Sequence, residues 1–280
     1  MEKVTKILFP TDFSECAENA FAYALKLAAK MQPQVEVLHV VYPVAEALDY
    51  PVLVGQATQD QLDIKVDVLR NFVKRGVAKA EEKAAAKLYT LQDIEVGTPV
   101  DAIVANAQRN AIDLIIMGTR GQRKGLDRWL GSVAAGVVAQ ASCPVMVVPE
   151  QLPNRAPKTL VYASDLHKAD PFELWKATRW LAPFEVQVHC VHINDGPASG
   201  IMQMEELKTF FAKQFHQMDI AFHHLPGKAL VSTINDFTEK INADLVIMFQ
   251  PQRPFFERIF HKSQTVNMVD HLRLPLLVMK

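Results

Sequence analysis

The chain carries a second copy of its own pattern. Ile7-Leu8-Phe9-Pro10-Thr11-Asp12 and Leu160-Val161-Tyr162-Ala163-Ser164-Asp165 are both short apolar runs that end in a hydroxyl residue and an aspartate, 153 residues apart. At the same offset Leu38-His39-Val40-Val41 aligns with Val191-His192-Ile193 through the two histidines. Further on, Asp113-Leu114-Ile115-Ile116-Met117 matches Asp244-Leu245-Val246-Ile247-Met248, and Cys143-Pro144-Val145-Met146-Val147-Val148 matches Leu274-Pro275-Leu276-Leu277-Val278-Met279, now 131 residues apart. A repeat of this length is a whole folding unit, and the second copy is 22 residues shorter, mostly after its second strand.

Each copy alternates short apolar runs with helical periodicity. In the first, strands are predicted at about 5–11, 35–41, 92–96, 113–118 and 144–148, with helices at about 14–31, 59–89, 99–110 and 131–141. In the second, strands fall near 159–164, 186–193, 218–223, 244–249 and 275–279, with helical spacing around Phe172–Leu181 and Leu230–Ile241. Ser14 with Glu18 behind it, and Pro99 after Thr98, mark helix starts. Apolar strands separated by helices imply a parallel sheet covered on both faces, so the expected class is α/β, with two tandem domains of five parallel strands each. The expected domains are 1–149 and 158–280, and the proline-rich polar segment 150–157 reads as their linker.

Charge excludes some partners. The 30 Lys and Arg balance 31 Asp and Glu, so no global field favours nucleic acid or an anionic membrane, and any anion site must be local. Cys16, Cys143 and Cys190 are odd in number and widely spaced, which fits neither a disulfide framework nor a zinc ribbon and suggests a reducing compartment. With no apolar run of 18 residues and no signal-peptide pattern, the expected location is cytoplasmic.

Open parallel sheets bind ligands beyond the C-terminal ends of their strands. The most informative residues lie there. From Gly118 to Ser132 the chain holds four glycines and four cations, Arg120, Arg123, Lys124 and Arg128, just before a helix that opens at Gly131-Ser132. Glycines let backbone amides approach a phosphate, and a helix N-terminus adds unpaired N–H groups and a favourable dipole. The same glycines can instead form only a turn, and the cations only a solvated face. Neither a P-loop nor a dinucleotide fingerprint is present.

The spacing Gly118-x2-Gly121-x9-Gly131-Ser132, together with Pro10-Thr11-Asp12, Gly97-x-Pro99 and the Cys-Pro before the last strand, resembles the nucleotide motif of universal stress proteins. The resemblance covers residues 1–149 and, more weakly, 158–280, so the chain looks like a tandem member. It implies a fold related to adenine nucleotide α-hydrolases and an adenine nucleotide ligand, ATP with Mg2+. Carried over by position, Asp12 would be near the ribose or adenine, Val41 would contact adenine through its backbone, and Pro10, Thr11 and Met117 would line the pocket. Gly118, Arg120, Gly121, Gly131, Ser132 and Val133 would surround ribose and triphosphate. Asp12 has a second reading as the cap of the helix that starts near Ser14.

The second copy departs from this motif. Phe249, Gln252 and Lys262 stand where the three glycines would be, Pro254 removes an N–H, and only Ser263 remains opposite Ser132. One ATP site per chain is therefore expected. The resemblance implies a stress-response or regulatory module that binds more than it catalyses, since no dedicated base for water is evident and hydrolysis would be weak at most. A nucleotide-independent interaction module with a vestigial site remains the alternative. The resemblance also suggests that Val145–Val148 and Leu276–Met279 pair within the chain as a pseudo-dimer, leaving homodimerisation open. His216, His223 and His224 are not read as a metal site, because adjacent strand residues point to opposite faces. His39 and His192 are read as core histidines bonded to backbone. Cys16, near a helix start, is not assigned a redox role.

Overall fold

A computed structural model of the chain describes residues 3–42, 51–80, 90–119, 131–152, 155–166, 168, 170–194, 201–214, 219–227, 230–250 and 273–280. The chain divides into two compact units, Val4–Val145 and Met146–Lys280. The first contains β1 (Lys6–Pro10), α1 (Glu15–Met31), β2 (Gln34–Val41), α2 (Pro51–Ala80), β3 (Thr90–Val96), α3 (Pro99–Arg109), β4 (Leu114–Gly118) and α4 (Ser132–Gln140). The cut between the units falls in β5 (Val145–Val148). The second contains β6 (Thr159–Ala163), α5 (Asp170–Leu181), β7 (Gln187–Asn194), α6 (Ile201–Gln214), β8 (Ile220–Pro226), α7 (Leu230–Lys240), β9 (Leu245–Phe249) and β10 (Leu276–Met279).

The strand order is β3-β2-β1-β4 in the first unit and β8-β7-β6-β9-β10 in the second, and every pairing within these runs is parallel. This is the α/β class expected from the alternation of strands and helices. The first strand of each unit is central and nearly wholly apolar: Ile7, Leu8 and Phe9 are fully buried. Phe9 packs against Phe21 of α1 and Phe72 of α2, with ring centroids 4.9 and 6.3 Å away.

The repeat extends to backbone detail. Among the described residues six non-glycines have positive φ, and they form three equivalent pairs: Phe13 and Leu166 (64° and 60°), Gln32 and Glu185 (57° and 53°), and Ala111 and Asn242 (50° and 51°). Such conformations are costly for L-residues, so their duplication marks turns that the fold itself imposes. Asp113 and Asp244 act alike as well. Asp113 Oδ2 accepts the N–H groups of Thr5 and Lys6, and Asp244 Oδ2 those of Lys158 and Thr159, each carboxylate anchoring the start of its unit's first strand.

Some boundaries differ from the sequence reading. α2 starts at Pro51 rather than near 59, as the first turn tolerates a residue without an N–H. The stretch 81–89, expected to continue it, lies outside the described residues. β8 runs to Pro226 instead of ending near 223. α6, which the helical spacing did not single out, occupies the place of α2 with 14 residues instead of 30, and this accounts for most of the second copy's shortening.

The cores differ in polarity. Phe9, Ala17, Ala20 and Val37 of the first unit correspond to Tyr162, Asp170, Glu173 and Cys190 in the second, all buried. Asp170 accepts hydrogen bonds from the Tyr162 and Ser164 hydroxyls. Burial and the nearby Asp170 carboxylate push the Cys190 thiol far above its usual range, so it remains protonated.

Candidate functional site

The site begins with the turn from β1 to α1. Thr11 is buried and its groups serve the turn: its N–H donates to Leu38 O at 2.8 Å, its hydroxyl accepts the Phe13 N–H at 3.0 Å, and its carbonyl accepts from His39 Nδ1 at 2.8 Å. Asp12 Oδ1 accepts the N–H of Ser14 at 3.1 Å. The helix cap is Ser14 itself, whose hydroxyl accepts from Ala17 N, with Glu15 and Glu18 in the first turn. Asp12 is therefore not the cap; it sits two residues before it, bracing the residue that is.

His39 reaches the same turn from β2. Its ring packs on Phe13, centroids 4.2 Å apart. Burial holds it below the ordinary imidazole range; Lys65 adds to the lowering, while the Thr11 carbonyl and Asp12 oppose it. The second unit repeats this contact, with His192 Nδ1 donating to Ser164 O at 2.9 Å and Ser164 Oγ accepting the Leu166 N–H at 2.9 Å. Both histidines are thus backbone-bonded, in line with their equivalent strand positions.

The other side of the site is the end of β4 and the start of α4. Met117 is buried, and Gly118 ends the strand against α1. A Cβ on Gly118 would lie 3.1 Å from Cys16 Sγ and 3.5 Å from Ala17 N. Close packing of β4 on α1 thus favours a glycine here, a reason separate from phosphate approach. Thr119 O accepts the Gly131 N–H at 2.6 Å, which joins the end of β4 to the start of α4. Gly131 is the N-cap of α4 and supplies no side-chain cap. α4 therefore starts at the C-terminal end of β4, which is parallel to β1, and so at the same end of the sheet as Pro10–Asp12, where a helix presents its first-turn N–H groups.

Val41 ends β2 and is buried, and its carbonyl accepts the Gly97 N–H at 3.0 Å, which ties β2 to the turn before α3. Pro10, Thr11, Asp12, Val41, Met117, Gly118, Gly131, Ser132 and Val133 all fall at strand C-termini or at the α4 start of one unit. Arg120 and Gly121, with Arg123, Lys124 and Arg128, lie outside the described residues. The motif did not point to Phe13, His39, Thr119 or Lys65. Lys65 Nζ stands 5.3 Å above the Phe13 ring. The sequence placed it only within a helix expected at about 59–89.

In the second unit Phe249 ends β9 where Gly118 ends β4; Gln252, Pro254, Lys262 and Ser263 lie outside the described residues. His223 and His224 part as strand alternation requires. His223 Nε2 meets His189 Nδ1 at 2.9 Å, and the His224 ring packs edge-on to His192. Among the described residues no group of three or more His, Cys, Asp or Glu can hold a metal, and His216 is not among them. Nor is any described helix long and apolar enough to cross a membrane.

Residues 3–149 match the profile of the universal stress protein family. Two universal stress proteins of Methanocaldococcus jannaschii are similar over about half of the chain. MJ0531 is 32% identical over 147 residues, covering 51% of this chain and 81% of its own length. MJ0577 is 31% identical over 157 residues, covering 51% and 93%. The crystal structure of a universal stress protein from Archaeoglobus fulgidus matches nearly the whole chain, with a TM-score of 0.76 at 20% identity, covering 99% of this chain and 97% of that one. At that identity the likeness is one of fold.

Proposed function

The chain belongs to the universal stress protein family, and from that premise we propose that its first unit binds ATP, with Mg2+ on the phosphates, as the ligand of a stress-response or regulatory module. The observation that carries this reading is the start of α4. Gly131 caps the helix without a side chain, so no cap side chain at that position occupies the first-turn amides, at the end of the sheet where β1 and β2 lead into Asp12 and Val41. Ser132 adds a hydroxyl donor, and Arg120 with the Gly118 and Gly121 backbone completes the phosphate side. Asp12 and Val41 take the ribose and base. Thr11, with its polar groups committed to the turn, supports Asp12.

Residues 1–149 act as the nucleotide domain and residues 158–280 as a degenerate copy, joined by 150–157, with Phe249 at the first glycine position of the copy. The protein works in the cytoplasm, and its output is carried by nucleotide occupancy rather than turnover. The test is to denature the purified chain, quantify released nucleotide by chromatography, and titrate the emptied protein with ATP and Mg2+ by calorimetry. About one ATP per chain is the expected result. Absence of both bound nucleotide and binding, checked at two temperatures, would overturn it.

A further inference from the structure

The two units share the scaffold of the turn after their first strands, residue for residue. Thr11 and Ser164 accept the same N–H, Phe13 and Leu166 have the same positive φ, Asp12 and Asp165 stand between them, and His39 and His192 donate to the same carbonyl. This scaffold forms in the second unit with Leu166 at the position of Phe13, so it needs no aromatic ring. The first unit adds one. It also adds a cation: Lys65 lies only half exposed between Ile64 and Val66, which are 65% and 44% exposed, and its ammonium is drawn in over the Phe13 ring. Its charge is felt at His39 together with that of Asp12, so all four groups converge on the ends of β1 and β2. In the second unit a charge that α6 brings to bear on the neighbouring strand is that of Glu205, opposite in sign.

The position of this ring and cation within the sheet decides their role. β1 pairs with β2 on one side and β4 on the other. A ligand laid across the switch point with its phosphates at α4 places its nucleoside over β1 and β2, about two strand spacings or roughly 10 Å away. We propose that Lys65, held over Phe13, contacts the nucleoside of the ligand, its ammonium donating to an acceptor on the base or ribose. Phe13 is the positioning residue that keeps the flexible lysine in place. The proposal rests on the ATP reading above.

The test is calorimetric titration of the full chain with ATP, ADP and AMP, for wild type, Lys65→Gln and Phe13→Leu. Leu166 shows that leucine fits this turn, so Phe13→Leu should fold. The expected result is a loss of about five- to tenfold in affinity in both variants, equal for the three nucleotides. A loss that grows with the number of phosphates would place Lys65 on the phosphate side and overturn the proposal. Unchanged affinity in both variants would overturn it too, with the ATP reading intact. A wild-type chain that binds none of the three overturns the ATP reading itself.

Discussion

His39 Nδ1 lies 2.8 Å from the carbonyl oxygen of Thr11, which gives the buried end of β1 a partner that no strand supplies. His39 spans β2 to the first residue beyond β1, and Phe13 seals the ring from the other side. Removing the donor leaves a buried carbonyl unpaired. His39→Leu should therefore lower stability by about 1–3 kcal/mol, read from the urea midpoint. His192→Leu should act in the same direction but less, since His192 is more exposed than His39. Unchanged midpoints in both variants would reject the bond as a support of the turn.

Stability should also depend on pH through histidines. His39, His189 and His223 are all held below the ordinary imidazole range, chiefly by burial, and the last two share one N–H···N contact that cannot accommodate two facing protons. Lys240 adds to the lowering at His223, and Asp219 opposes it at His189. The unfolded chain takes up protons first as pH falls through about 6.5, so these groups favour folding above that value and lose their contribution below it. Between about pH 7.5 and 5.5 the wild type should lose more stability than a His189→Asn/His223→Asn variant. Equal losses would show that the pair is not protonation-sensitive.

Thiol reactivity offers a third check. Cys190 is fully enclosed, and burial with the Asp170 carboxylate keeps it a thiol; Cys16 is buried against Thr119; Cys143 is partly exposed. An aromatic disulfide reagent should label about one thiol per native chain, at Cys143, and all three after denaturation. Rapid native labelling of Cys190 would mean that the second unit opens far more readily than its packing implies.

The legible parts of this molecule were those with a period or a spacing. Alternating runs and helical patterns revealed the parallel units, and offsets of 153 and 131 aligned His39 with His192 and Asp113 with Asp244 before their bonds were visible. The glycine spacing located Gly118, Gly131 and Ser132 at the end of β4 and the start of α4. What escaped depends on the third dimension. Phe13 in a left-handed conformation has no local signature, because the turn is imposed by Thr11, Asp12 and His39 together. Lys65 reaches the site from a helix far along the chain. The replacement of Ala17 by Asp170 and Ala20 by Glu173 looks in sequence like an ordinary polar helix start, although both acids are buried.

Gly118 separates scaffold from site. The nucleotide motif assigns it to close approach of a phosphate, whereas the structure brings Cys16 Sγ to 3.1 Å and Cys16 O to 3.4 Å of the position a Cβ would occupy. The oxygen is at an ordinary contact distance and the sulfur is the tight contact; Cys16, buried beside Thr119, has little room to turn aside, so Gly118→Ala should destabilise the nucleotide-free chain by about 1–3 kcal/mol. If packing is the cause, Gly118→Ala combined with Cys16→Ala should recover part of that loss, because the smaller side chain removes the nearest contact. Urea unfolding without ligand reads this term alone, and calorimetry with ATP reads the remainder. A Gly118→Ala chain as stable as wild type but weaker in ATP affinity would show that the glycine serves the phosphate. Lost stability with partial rescue would instead assign it to the seating of α1 on β4, and with it the cost of any larger residue at this position in a unit where α1 begins as closely as it does here.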